Sequence, residues 1–291
     1  MCGLSMPLID QPPAPELLVR ELDDLPPTPR VLQSLQRMIA DPDAMLVDMG
    51  DMVALEPGLS ARVVRIANSA VFRRGAKVDN ILEAIQRVGL SGIHELVTFA
   101  VGSQMVGRPL GTYKLDAQSL WARAVTCALA AAGIGEKSDV DRVSAYSAGL
   151  MHGLGLVVID RYAVRQTPAR HIETAGYPLD TAAAERTWLG YSHAEAGAAL
   201  LEMWGFSADV CNAVRFQLEP EKCPEEHRVL CMTIAIARWA RSCLCMHSAD
   251  VPDQPSGAWL AATGMKATDL EEWLKGLRKQ SQLACSELRL Y

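Results

Sequence analysis

Ser192-His193-Ala194-Glu195-Ala196-Gly197-Ala198-Ala199-Leu200-Leu201-Glu202-Met203-Trp204-Gly205 contains a complete helix grammar in fourteen consecutive residues. Ser192 and Glu195 make an S-x-x-E capping box, in which each side chain satisfies a loose backbone N–H of the first turn. The helix reaches Trp204, and Gly205 stops it. Ser207 caps the next helix at once.

The same signals continue in both directions. Downstream, a long helix is predicted from about Pro224 to Met246, followed by a proline-containing break at 248–257. Thr268-Asp269-Leu270-Glu271 is a second capping box, opening a terminal helix with Leu270, Trp273, Leu274 and Leu277 on one side. Upstream, Asp180 to Leu189 and Asp139 to Met151 read as helices. Asp116 caps another, carrying Leu120, Trp121, Ala124, Cys127, Ala128 and Ala131. Residues 107–114, with Gly107, Pro109 and Gly111, read as a linker. Before it lie helices at Ser91–Val106, at Ile81–Val88 (stopped by Gly89), from Pro57, and at about 45–55. Another follows Thr28-Pro29, a cap with proline at the first helical position.

Val157-Val158-Ile159 is short and strand-like, but helical neighbours surround it. The predicted fold is therefore all-α, with no simple repeat. Four parts are expected: a loose, proline-rich arm at 1–21, a helical lobe at 22–107, a second lobe at 114–220 and a helical extension at 221–291.

Composition narrows the function classes. Apolar residues make up 49% of the 291, which is enough for a packed core and argues against disorder. The net charge of −6 argues against non-specific binding to nucleic acid or a membrane surface. No stretch reaches the ~20 apolar residues of a membrane helix, and residues 1–8 lack the pattern of an export signal. A cytoplasmic protein is expected, with its eight cysteines as free thiols.

Four constellations stand out. His152 lies in Ala148-Gly149-Leu150-Met151-His152-Gly153-Leu154-Gly155. A His-Asp pair there would suit a divalent ion, but Gly153 takes the place of the carboxylate. A lone histidine falls short of the three or more ligands that a catalytic metal needs. His193 follows the Ser192 cap, where a helix N-terminus disfavours a protonated ring. Cys223, His227 and Cys231 resemble a zinc motif, with Cys243, Cys245 and His247 beyond. On one continuous helix, however, 223 and 231 would stand ~12 Å apart, too far for one ion. Asn68-Ser69 ends a helix near Arg62, Arg65, Arg73, Arg74 and Lys77. The Asn-Ser pair either satisfies loose backbone groups or presents a polar surface to a partner. There is no phosphate loop, no GxGxxG after a strand and no nucleophile elbow.

These motifs together resemble the HDOD domain, a divergent branch of the HD phosphohydrolases. Leu25-Pro26-Pro27-Thr28-Pro29 is similar to its LPxLP opening, and Glu56-Pro57-Gly58-Leu59 to its DPxL step. Arg65 to Ala70 matches its ANSA signature, Ile81 to Gly89 its next helix, and Trp121-Ala122-Arg123 its tryptophan helix. Ala148 to Gly155 fits AGLLHDIG, with Gly153 and Leu154 at the Asp and Ile. Glu185, Ser192 to Ala198 and Trp204 fit the histidine block. The resemblance covers about 22–220 and implies an HD-like helical bundle serving signalling rather than hydrolysis.

Set against that family, the metal ligands are depleted. The expected first His appears as Arg123-Ala124, the HD pair as His152-Gly153, and a later His-His as Phe216-Gln217. An Asp expected near Ile236-Ala237-Arg238 is missing. The resemblance therefore implies a non-catalytic regulatory module with no metal and no cofactor. It would act by contact with a separate signalling protein, through a surface that includes Asn68, Ser69, Arg73 and Arg74. Two alternatives stand beside it. One is a divergent metal-dependent phosphohydrolase that recruits Glu185 or Glu195. The other is a small-ligand sensor whose remnant pocket is lined by Trp121, Arg123, His152 and His193, with Arg123 pairing an anion such as a nucleotide phosphate.

Overall fold

A computed structural model describes residues 12–22, 30–39, 45–55, 57–69, 72–73, 75–166, 179–245 and 253–287. Thr28-Pro29, Glu56, Arg74 and His247 lie outside the described residues. Those described are helical, with one isolated bridge between Leu110 and Leu115 and no strand. Val157 to Ile159 sit within a helix.

The first lobe holds α2 (Arg30–Ile39), α3 (Leu46–Ala54), α4 (Pro57–Ala67) and α5 (Ile81–Met105). Met49, Val53, Val63, Ile85, Ile93 and Leu96 form its dry centre. Gly89 ends the first helical stretch of α5 as expected. It kinks α5 with φ 73 and ψ −175, a left-handed conformation open to glycine, and the helix resumes beyond it.

The second lobe holds α6 (Ala117–Gly135), α7 (Arg142–Met151), α8 (Leu154–Gln166), α9 (Leu179–Leu189), α10 (His193–Met203), α11 (Ala208–Arg215) and α12 (Arg228–Cys245). Asp116, Asp141, Ser192 and Ser207 cap four of these with side-chain hydrogen bonds. The lobes meet where Phe99 of α5 stands edge-on to Trp121 of α6, ring centres 4.5 Å apart. An ion pair from Arg142 to buried Glu95, 3.1 Å long, adds a polar tie. The stretch Arg142–Arg165 is apolar enough by composition to cross a membrane, yet its most apolar part is almost wholly buried inside the protein.

Three expectations need correction. Residues 15–21 are not a loose arm: α1 (Pro15–Glu21) packs on α10 and α8, with Leu18 and Val19 buried. Its apolar pair was masked by the surrounding prolines. Residues 107–114 are not a mere linker, because Leu110, Thr112 and Tyr113 are buried. Glycine and proline there mark a chain reversal, not exposure. The long helix at 224–246 is broken at its start. Cys223 is extended, Glu225–His227 form a 3-10 turn, and α12 begins at Arg228.

Nor is the C-terminal part an added outer layer. α12 is a core helix packed on α6, α7 and α11. The final helices α13 (Gly257–Ala262) and α14 (Leu270–Glu287) follow it. α14 lies along α6 with Leu277 and Ala284 buried.

Candidate functional site

His152 sits at the end of α7, where the chain turns into α8. Its Nδ1 lies 2.7 Å from the Gly149 carbonyl, so Nδ1–H donates to that oxygen and Nε2 is left as an acceptor. Arg241 of α12 fills that role: its Nη1 donates to His152 Nε2 across 3.1 Å. The Arg241 side chain is fully buried. Gln217 Nε2 donates to the His152 carbonyl at 2.9 Å, and Arg238 Nη1 donates to the Gln217 carbonyl at 2.6 Å. Burial first, then the charges of Arg241 and Arg238, hold the His152 pKa well below the ordinary imidazole value. The ring is neutral, with a permanent cation beside its open nitrogen.

His193 occupies a second buried cluster. Glu185 of α9 accepts from the His193 backbone N–H and approaches its ring Nδ1, both at 2.7 Å. Its other oxygen accepts from the Tyr113 hydroxyl at 2.6 Å. Beside this cluster, the Thr112 N–H donates to Asp160 of α8 at 2.7 Å. The segment read as a linker thus braces the second lobe from inside.

Of the four residues expected to line a remnant pocket, two share a cleft, and the charge of a third, His193, reaches the His152 ring. Arg123 and His152 line one cleft with Gly153, Leu120 and Leu150. Its accessible interior is about 10 Å³, room for about one water. Trp121 is buried against Phe99, and His193 is held by Glu185. The expected partner surface also changes. The Asn68 side chain donates to the Val78 carbonyl at 2.7 Å and accepts from its N–H at 2.8 Å, which spends the amide on the backbone. Ser69 is buried, and Arg73 is exposed. A cleft of about 400 Å³ opens beside Arg186, Arg215 and Lys222. All three cations are already paired there, Arg186 and Lys222 with Glu219 and Arg215 with Glu202.

The break before α12 brings the Cys223 and Cys231 thiols within hydrogen-bond range, which one continuous helix would forbid. His227 turns away to Asp209. Among the described residues, no three His, Cys, Asp or Glu side chains gather as a metal cluster.

Residues 25–220 match the HDOD domain family. The chain belongs to that family. An uncharacterized protein of Treponema pallidum (strain Nichols) is 31% identical over 223 residues, which are 74% of this chain and 42% of that protein. The HDOD chain therefore spans less than half the length of this relative. An HDOD domain protein of unknown function from Geobacter sulfurreducens has a TM-score of 0.74 at 22% identity, covering 95% of this chain and 98% of its own. A candidate phosphohydrolase from Shewanella amazonensis SB2B has a TM-score of 0.67 at 24% identity, covering 93% and 97%. At these identities the solved structures bear on the fold, which is HD-like and helical.

The HD-like fold raises the question of a divalent ion, and among the described residues the groups around His152 do not fit one. His152 Nε2, the nitrogen such an ion would take, is occupied by a guanidinium. Gly153 offers no carboxylate. Glu185 is enclosed by Tyr113 and His193, and Glu195 by the Ser192 backbone and hydroxyl of the capping box. Sequence reasoning missed Arg238 and Arg241 because both read as ordinary polar positions on a helix. Arg241→Met keeps the stem and removes the donor. It is expected to cost about 1–3 kcal/mol by leaving His152 Nε2 unpaired in the interior. The His152 pKa should rise once that charge is gone. Urea unfolding and an NMR titration check both; unchanged values would show the bond to be idle.

A second buried ring makes stability depend on pH. His94 of α5 is taken from 6.5 to about 4 by burial, with Asp141 opposing. Its folded pKa is depressed, so the neutral form is the folded one. Above pH 6.5 neither state binds the proton; from there down to about 4 the unfolded chain does and the folded chain does not. Stability therefore falls on acidification, by about 3 kcal/mol from His94 alone, and His152 adds in the same direction. Urea midpoints at about pH 7.5 and about pH 5 should differ, and less so in His94→Gln. Equal midpoints in the unmodified protein would contradict this.

Proposed function

We propose that this HDOD protein is a regulatory module without hydrolytic activity, working through contact with a protein partner in a signalling pathway. The observation that carries the reading is the Arg241 guanidinium 3.1 Å from His152 Nε2. A fixed organic cation there supports a structural role for the old histidine. It holds charge but has no open position for water or phosphate. The cleft beside Arg123, with room for about one water, does not favour a nucleotide-sized ligand. The net charge of −6 does not favour nucleic acid. A cytoplasmic setting goes with the free, buried cysteines; burial pushes Cys127 and Cys211 up to about 12, where thiols are inert.

The test uses the purified full chain with manganese, iron or zinc, against bis(p-nitrophenyl) phosphate and cyclic dinucleotides. No turnover and no stoichiometric metal are expected. Stoichiometric metal, with hydrolysis that His152→Ala abolishes, would overturn the reading.

A further inference from the structure

The cleft of about 400 Å³ in the second lobe contains neither His152 nor His193, and its walls carry both signs of charge. Arg186 of α9, Arg215 at the end of α11 and Lys222 of the 3-10 turn Pro220–Lys222 supply three cations. Glu195 of α10 and Glu219 supply two carboxylates, and Phe216 and Leu218 an apolar wall. An open space of that size lies in the range of small-molecule pockets.

The ion pairs at its rim leave much of this chemistry available. Arg186 spends Nη2 on Glu219 Oε2, and Arg215 spends Nη2 on Glu202 Oε1. A guanidinium has five N–H donors, so one bond does not use up either fork. The pairs also stand partly in solvent, with Arg186 41% and Glu219 39% exposed, and such pairs hold their partners weakly. Glu195 is placed more firmly. Its Oε2 accepts from the Ser192 backbone N–H and hydroxyl, so the capping box fixes the side chain at the head of α10. Its Oε1 accepts no hydrogen bond from the described residues.

The charge pattern selects the ligand. A phosphate dianion drawn to the three cations would meet two carboxylates in the same space, and like charges set side by side are costly. A molecule with one charge of each sign satisfies both sets. We propose that this cleft binds a small zwitterion of the amino-acid class with a large apolar side chain. Its ammonium donates to Glu195 Oε1, its carboxylate accepts from Arg186 and Arg215, and its side chain lies on Phe216 and Leu218. The site goes beyond the protein-contact reading and does not rest on it, since it needs neither a partner protein nor hydrolysis.

Isothermal titration calorimetry on the purified full chain tests it. The probes are L-phenylalanine, L-leucine, N-acetyl-L-phenylalanine, L-phenylalanine amide and inorganic phosphate. One of the two amino acids should bind with a Kd of about 1 mM or tighter, and blocking either charge of L-phenylalanine should weaken it at least about tenfold. Glu195→Gln keeps the capping box, which glutamine also serves. It should weaken the amino acid about tenfold with little change in melting temperature. An Arg186→Gln, Arg215→Gln double variant should weaken it as much, and carries the test should Glu195→Gln misfold. Phosphate bound more tightly than either amino acid would make the cleft an anion site and overturn the proposal. So would an N-acetyl form that binds as well as L-phenylalanine, or no binding by either amino acid.

Discussion

Replacing Glu185 by alanine should destabilise the protein by about 3–5 kcal/mol, because it leaves several buried hydrogen-bonding groups without their partner. Glu185 has no exposed surface, and its two oxygens serve three groups: the Tyr113 hydroxyl, the His193 backbone N–H and the His193 ring. Alanine leaves all three in the interior, where each unmade bond costs about 1–3 kcal/mol. The segment carrying Tyr113 would loosen first, because Glu185 and Asp160 hold its polar side. Glu185→Gln should lose less, since one oxygen remains and the shape is kept. Urea unfolding of the two variants checks the order. A loss under about 1 kcal/mol in Glu185→Ala would mean that water reaches the cluster.

Gly155→Ala is expected to be the most damaging added methyl group among the described glycines. A Cβ at position 155 would stand 1.8 Å from the His193 carbonyl oxygen and 2.7 Å from the Gly197 nitrogen. Both obstacles are backbone, so no rotamer change relieves them. α8 and α10 must separate, and the carbonyl that must move belongs to His193. The loss should exceed about 3 kcal/mol, above the usual cost of overpacking. Gly153→Ala, two residues earlier, is the control. Its Cβ would meet only Leu120 Cδ1 at 3.9 Å, an ordinary contact, and the change should stay within about 1 kcal/mol. Similar melting temperatures for the two variants would contradict the close helix crossing.

The helices were legible where their signals are local. The capping box of Ser192 and Glu195 and the caps of Asp116 and Ser207 are read within four residues, and each forms as expected. The site was legible only in its histidines. Arg241 lies 89 residues from His152, and nothing in the spacing of α12 sets it apart from a solvated arginine. Burial decides its role, and burial is a tertiary property. Tyr113 was hidden for a different reason: the glycines and proline around it signal a loop, and a loop reads as surface. The Cys223–Cys231 contact was missed because a break at Pro224 replaced the helix that the apolar spacing implied. Glu185 and Glu195 were candidate metal ligands by residue type, whereas their hydrogen bonds commit them to Tyr113, His193 and Ser192.

The central claim is that a guanidinium, not a metal, holds His152 Nε2. The direct measurement is nitrogen-resolved NMR of the histidine rings during titration with manganese and, separately, zinc. His152 should show an acceptor Nε2 in hydrogen-bond contact with Arg241, with no broadening by manganese and no shift with zinc. Arg241→Met should alter that resonance without any metal. Broadening of His152 Nε2 by stoichiometric manganese in the unmodified protein would contradict the claim and return the site to metal chemistry.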